Sequence, residues 1–175
     1  MPTSRTLDLA GLSLRDALDL AVLVEEEAKD RYEEFAGQMH AHRNPEAASF
    51  FEFMRGNEEK HEQQLGEKRR ALFGDAPVTL RREMIFDIEA PDYDEARGDM
   101  TERDALEAAL RSETKAHDFF ASALGVITDP AVRELFEELR DEETEHRRLV
   151  SEQIERLEPE SLLRPEDVED DPVAQ

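Results

Sequence analysis

Hydrophobic side chains recur every three or four residues over four long segments of the chain, which is the spacing of one face of an α-helix. The segments cover about residues 13–42, 45–73, 101–124 and 130–157. A Ser or Thr followed three residues later by Asp opens the first and third, and Asn-Pro or Asp-Pro opens the other two. The pattern therefore predicts four helices with capped N-termini.

The segment between the second and third helices, residues 74–100, has no such periodicity. Pro77, Pro91 and Gly98 interrupt it, and we expect its central apolar cluster to pack along the side of the helices; the cluster consists of Met84, Ile85, Phe86 and Ile88. Two helical hairpins joined by a long crossover form a recognised bundle topology. The prediction is an all-α, four-helix bundle of two hairpins.

The ends of the chain differ from this bundle. Residues 13–157 are predicted to form a single domain, which 175 residues can supply with a sizeable core. Residues 1–12 are predicted to be an N-terminal extension. Residues 158–175 are rich in acids and proline, and we expect them to be a mobile tail because they have too little apolar surface to bury.

The amino-acid composition excludes several classes of function. The formal net charge of −23, from 45 acidic and 22 basic residues, disfavours nucleic acid and attracts cations, although it also fits simple solubility. There is no Cys, so disulfides, thiolate catalysis and iron–sulfur ligation are excluded within the chain. No apolar run approaches the roughly 20 residues of a membrane span, and residues 1–10 lack the order of a signal peptide. We expect a cytoplasmic protein.

Each predicted helix has one glutamate inside its apolar stripe. In the second and fourth helices, a histidine follows that glutamate three residues later. The interrupting residues are Glu25, Glu58, His61, Glu113, Glu143 and His146. Burying a carboxylate without a counter-charge costs several kcal/mol, so four in one core require partners, and divalent cations are the obvious ones.

The order of these residues repeats between the two halves. Glu25 precedes the Glu58-x-x-His61 pair by 33 residues, and Glu113 precedes the Glu143-x-x-His146 pair by 30. A single Glu-x-x-His is a weak signal, because positions i and i+3 share a helix face in any acidic helix. Two copies in matching positions predict two equivalent three-ligand sets facing each other across an approximate two-fold axis, and hence two metal ions.

This arrangement is the ligand pattern of ferritin-like di-iron and di-manganese proteins. The stretches EEEAKDRYEEFA and EEKHEQQL in the first half, with SETKAHDFFASAL and EETEHRRL in the second, resemble the rubrerythrin-like branch of that superfamily over residues 13–157. The layout of the chain, with an LxRRE-like stretch from Leu80 to Glu83 in the crossover, is similar to that of the rubrerythrin-like domains fused to membrane iron transporters, although this sequence contains no transporter segment.

The resemblance implies that the six residues bind two iron ions, with manganese or zinc as alternatives. It implies an oxidoreductase that oxidises Fe(II) with oxygen or peroxide; a non-enzymatic iron-binding, buffering or delivery module is the alternative, and a helical protein without metal is a third. Rubrerythrin proper has another glutamate ligand where this chain has Ala116, and it ends in a cysteine-ligated rubredoxin module that a Cys-free chain lacks. These two differences disfavour the peroxidase activity of rubrerythrin proper.

Several other residues have simpler interpretations. Tyr32 could donate a hydrogen bond to a ligand, but Phe120 has the matching place in the other half, so an ordinary core tyrosine is favoured. Acids beside the stripes are assigned to a solvated face, with a cation funnel as the alternative; these are Glu26, Glu27, Glu59 and Glu142. Leu20, Leu23 and Phe119 are expected to be exposed beside the stripes, which predicts a homodimer.

Overall fold

Four long helices account for most of the chain in a computed structural model, which describes residues 7–84 and 100–157. They are α1 (Leu14–Ala41), α2 (Pro45–Phe73), α3 (Glu102–Ala123) and α4 (Pro130–Arg156), with a 3-10 turn at Arg82–Met84. The described residues contain no strand, and the predicted all-α bundle is confirmed. Within the same ranges, no helix has an apolar stretch long enough to cross a membrane.

The helix ends follow the capping signals of the sequence. The Ser13 hydroxyl accepts a hydrogen bond from the backbone N–H of Asp16 at 3.2 Å. Thr101 and Asp104 form a complete capping box, in which each side chain accepts from the other residue's backbone N–H. Gly74 ends α2 with a φ of +56°, a backbone conformation that favours glycine.

The core consists of two apolar clusters separated along the bundle. One joins the N-terminal halves of α1 and α4 to the C-terminal ends of α2 and α3, and includes Leu18, Leu65, Phe120 and Phe136. The other joins the opposite ends, and includes Tyr32, Phe51, Leu106 and Val150. Between them lie the interrupting residues of the four stripes, which we call the polar layer: Glu25, Glu58, His61, Glu113, Glu143 and His146.

Arginine side chains hold the beginning of the crossover against the bundle through ion pairs and hydrogen bonds. Arg69 near the end of α2 forms an ion pair with Asp19 of α1 at 2.8 Å, and its guanidinium also donates to the carbonyl oxygens of Gly74 and Ala76. This fixes the direction in which the chain leaves α2.

Further along, Arg82 lies over the exposed acidic face of α1. Its guanidinium contacts Glu26, Glu27 and Asp30 at 3.0 to 3.2 Å. Most of the predicted apolar cluster, the remainder of the crossover and the predicted acidic tail lie outside the described residues.

Two expectations about exposure were wrong. Leu20 is completely buried in the core, and Leu23 and Phe119 are partly buried against it, so these residues do not form the exposed patch on which the homodimer prediction rested. The N-terminal segment before α1 packs against the same cluster, which widens the buried face of the helix. Conversely, Leu72, which the apolar spacing of the second helix predicts to lie in the core, is exposed in the last turn of α2. The homodimer stays a prediction.

Candidate metal centre

The structure brings all six predicted ligands together in the polar layer. The four glutamates and His146 are buried, each with 4% or less of its surface exposed, whereas the His61 side chain is 18% exposed. Each helix contributes its stripe-breaking glutamate because these positions share the face that packs on the bundle axis. The layer therefore concentrates four acidic and two imidazole side chains inside an apolar bundle.

His146 lies within a ring of carboxylates. Its Nδ1 is 3.2 Å from Oε1 of Glu58, 3.5 Å from Oε2 of Glu113 and 3.8 Å from Oε2 of Glu143. Glu113, Glu143 and His146 each offer one ligand atom in a compact group, all three are buried, and we call them the inner set.

His61 lies beside Glu25, as the repeat predicts, and beside Glu142, which the repeat does not include. Its Nδ1 is 3.6 Å from Oε2 of Glu25 and 3.9 Å from Oε2 of Glu142. Glu25, His61 and Glu142 form a second compact group of possible ligands, which we call the outer set. Glu142 was assigned to a solvated face, with a cation funnel as the alternative. Its side chain is 39% exposed and lies beside His61, which favours the alternative. No signal within α4 indicates this contact, because it depends on how α4 is rotated against α2.

Glu58 lies between the two histidines rather than with Glu25 alone. It forms a third compact group with His61 and His146, whose rings stack with centroids 5.5 Å apart and planes 10° apart. The two sets are thus adjacent and Glu58 is shared between them, so the arrangement is less symmetric than the sequence repeat predicts.

Tyr32 is the aromatic residue that reaches the polar layer. Its hydroxyl donates a short hydrogen bond to Oε1 of Glu113, which supports the hydrogen-bonding alternative over an ordinary core tyrosine. Burial, together with the negative charges of Glu113 and Glu58, raises the pKa of Tyr32 well above its ordinary value. The phenol therefore stays protonated and acts as a donor.

The charge state of Glu113 is set by opposing effects. Burial favours the neutral acid, but the nearby imidazole of His146, a hydrogen bond shared with Glu143 and the positive charge of Arg31 lower the pKa of Glu113 to about 2. The 3.5 Å separation from His146 is long for a hydrogen bond, so we regard that contact as mainly electrostatic. Arg31, itself buried, is a contributor that the sequence analysis did not identify.

The pKa values of His146 and Glu142 are also affected by the neighbouring carboxylates. Burial lowers the pKa of His146, yet Glu113, Glu25 and Glu142 together raise it above its ordinary value. Burial and repulsion from Glu25 raise the pKa of Glu142, against the attraction of His61. The carboxylates therefore favour the protonated form of His146 and of Glu142 in the metal-free layer.

The donor set fits divalent metal ions. Across the described part of the chain, the buried atoms without a hydrogen bond include Nδ1 of both histidines and Oε2 of Glu113, and all three face the polar layer. Buried polar atoms are rarely left without a hydrogen bond, and oxygen and imidazole nitrogen are ligands for iron, manganese and zinc. The polar layer thus offers three groups of donor atoms that could hold such ions.

Comparisons with known proteins agree with the four-helix fold. No curated protein matches the chain. An uncharacterized conserved protein from Magnetospirillum magnetotacticum MS-1, known from a crystal structure at 2.00 Å resolution, is 27% identical and has a TM-score of 0.73, over 86% of this chain and 99% of that one. The rubrerythrin family matches residues 16–97 and 104–173. With most of its length matched, the chain belongs to the rubrerythrin family.

Proposed function

We propose that this protein binds two iron ions in the polar layer, with Glu25, Glu58, His61, Glu113, Glu143 and His146 as ligands, and that it oxidises Fe(II) with oxygen or peroxide. One observation carries the proposal. Nδ1 of each histidine is surrounded by carboxylate oxygens at 3.2 to 3.9 Å, and the two histidines share Glu58.

The charge of the polar layer supports the binding of two cations. Four carboxylates carry four negative charges when ionised, which two divalent ions would balance while both imidazoles stay neutral. Without cations, burial of the four carboxylates would destabilise the protein, because the charges lose their hydration and repel one another. We infer that the layer is retained for binding, because apolar residues would give a more stable bundle.

The proposed reaction balances with two irons. Two Fe(II) each give up one electron and become Fe(III). Hydrogen peroxide takes both electrons and two protons to leave as two waters, and oxygen takes the same electrons and protons to leave as hydrogen peroxide. The chain contributes a binding site that excludes bulk water from the inner set, carboxylates that favour the more highly charged iron, and the Tyr32 hydroxyl, which holds Glu113 in position.

Metal content tests the proposal. We expect about two iron atoms per chain in protein that has been supplied with Fe(II) without oxygen. A variant with Glu58→Ala and Glu143→Ala should lose them. The matched control is Glu59→Ala with Glu145→Ala, which removes neighbouring acids on the same helices that are about half exposed. Absence of metal from the native protein, or equal loss in both variants, would refute the proposal.

Iron buffering or delivery is a second candidate, and the outer set favours it. His61 and Glu142 are partly exposed beside an open cavity, so an ion bound there could exchange with solvent. Stopped-flow oxidation separates the two functions. Repeated turnover of Fe(II) with peroxide indicates an enzyme, whereas a single burst of two Fe(II) per chain followed by transfer to a chelator indicates delivery.

A further inference from the structure

We propose that Glu142 is an additional metal ligand that completes the outer set with Glu25 and His61, and that ions reach the polar layer from this side. The inference rests on the proposed metal-binding function and adds a residue outside the repeated ligand pattern. It assigns the two metal positions different roles, one enclosed and one accessible.

The first argument is the distribution of the ligands between the inner and the outer metal position. Glu58 lies close to His146, at 3.2 Å, although the repeat would group it with Glu25 and His61. With Glu58 shared between both histidines, the outer position has only Glu25 and His61 of its own. Glu142 supplies the third donor, which makes the outer set equal in number to the inner set.

The second argument is distance. A first-row divalent ion binds oxygen and nitrogen at about 2.0–2.2 Å, so two neighbouring ligands lie about 2.8–3.6 Å apart at tetrahedral or octahedral angles. Nδ1 of His61 is 3.6 Å from Glu25 and 3.9 Å from Glu142, too long for hydrogen bonds but within a few tenths of an ångström of this spacing. The same nitrogen is buried and makes no hydrogen bond within the described residues.

The third argument is access. A cavity of about 110 Å³ between α2 and α4 is lined by His61 and Glu142, and reaches the surface beside Lys68 and Glu138. The Glu142 side chain is 39% exposed, whereas the ligands of the inner set are buried. Glu142 can therefore meet a hydrated cation before the buried ligands do. The corresponding residue of the first hairpin is Asn57. The repeat therefore has an acid at this position in its second half and an amide in its first half.

The test compares Glu142→Gln with Glu138→Gln in the full chain. Both variants remove one negative charge from the same helix and the same cavity, but Glu138 is 56% exposed and forms an ion pair with Lys68 and, within the described residues, none with His61. Anaerobic Co(II) titration, followed by calorimetry and by the visible absorption of the bound ion, counts the sites and gives each affinity without any turnover.

We expect the native protein and Glu138→Gln to bind two Co(II). Glu142→Gln should keep one tight site and bind the second ion at least ten-fold more weakly, with altered absorption of that ion. Two sites of native affinity in Glu142→Gln would overturn the role of Glu142 and leave the proposed function intact. An equal loss of affinity for the second ion in both variants would show that only the net charge of the cavity matters. That result would also overturn the role of Glu142 as a ligand. Failure of the native protein to bind Co(II) or Fe(II) would instead refute the proposed function itself.

Discussion

The hydroxyl of Tyr32 on α1 donates a hydrogen bond to Oε1 of Glu113 on α3, and this contact links the two hairpins inside the polar layer. Tyr32 also belongs to the apolar cluster on one side of that layer, where its ring lies 6.2 Å from that of Phe51. One residue thus connects core packing with the position of a candidate ligand.

Replacing Tyr32 with Phe is expected to destabilise the metal-free protein. The ring is retained, but buried Glu113 loses a donor, and hydrogen bonds to charged groups contribute about 1.5–3 kcal/mol. Urea unfolding should show a decrease of that size. Two metal ions should still bind, because Tyr32 is not among the proposed ligands; a decrease under about 0.5 kcal/mol would show that Glu113 does not depend on the phenol.

The substitution Glu58→Gln should change thermal stability in opposite directions without and with metal. In the metal-free protein it removes one of four buried negative charges and should raise the melting temperature. With metal the native protein gains about 2.7 kcal/mol when the free ion is at 100 times its dissociation constant, and the variant gains less. Melting curves with a chelator and with Co(II) check both signs. A variant that is less stable under both conditions would contradict the explanation.

The ion pair between Asp19 and Arg69 is expected to be important for stability, because both side chains are largely buried. Removing one member of a buried pair costs about 3–5 kcal/mol, and Asp19→Asn should fall near the lower limit, since Arg69 keeps its two carbonyl acceptors. The control is Asp141→Asn in the more exposed pair with Arg140, which should cost less than about 1 kcal/mol. Equal costs in denaturant unfolding would rule out the distinction.

The capping box of α3 should make stability depend on pH. The backbone N–H and hydroxyl of Thr101 lower the pKa of Asp104 below its ordinary value. A carboxyl whose pKa is lowered by folding stabilises the protein above its unfolded pKa, near 3.9, and loses this effect as the pH falls through the folded value. The difference in unfolding free energy between native protein and Asp104→Asn should therefore be constant from pH 7 to about 5 and shrink below pH 4. Thr101→Ala should cost about 1 kcal/mol at pH 7.

The helices and the members of the polar layer could be predicted because their signals are local. A 3.6-residue period, a Ser, Thr, Asn or Asp cap and a glutamate inside an apolar stripe are all properties of one segment. α1 to α4 accordingly begin and end within about a residue of the predicted limits. The resemblance to rubrerythrin rested on the same residues and agrees with the family match.

Contacts between helices could not be obtained in this way. Glu142 lies one residue from Glu143, about 100° around α4, and the sequence does not state whether that direction faces solvent or His61. The rotation and spacing of α2 against α4 decide it, as they decide that Glu58 reaches both histidines. The sequence alone thus determined the four helices and the acid inside each one. Only the tertiary structure decided how the ligands divide and which side of the polar layer is open, because these depend on packing between the hairpins.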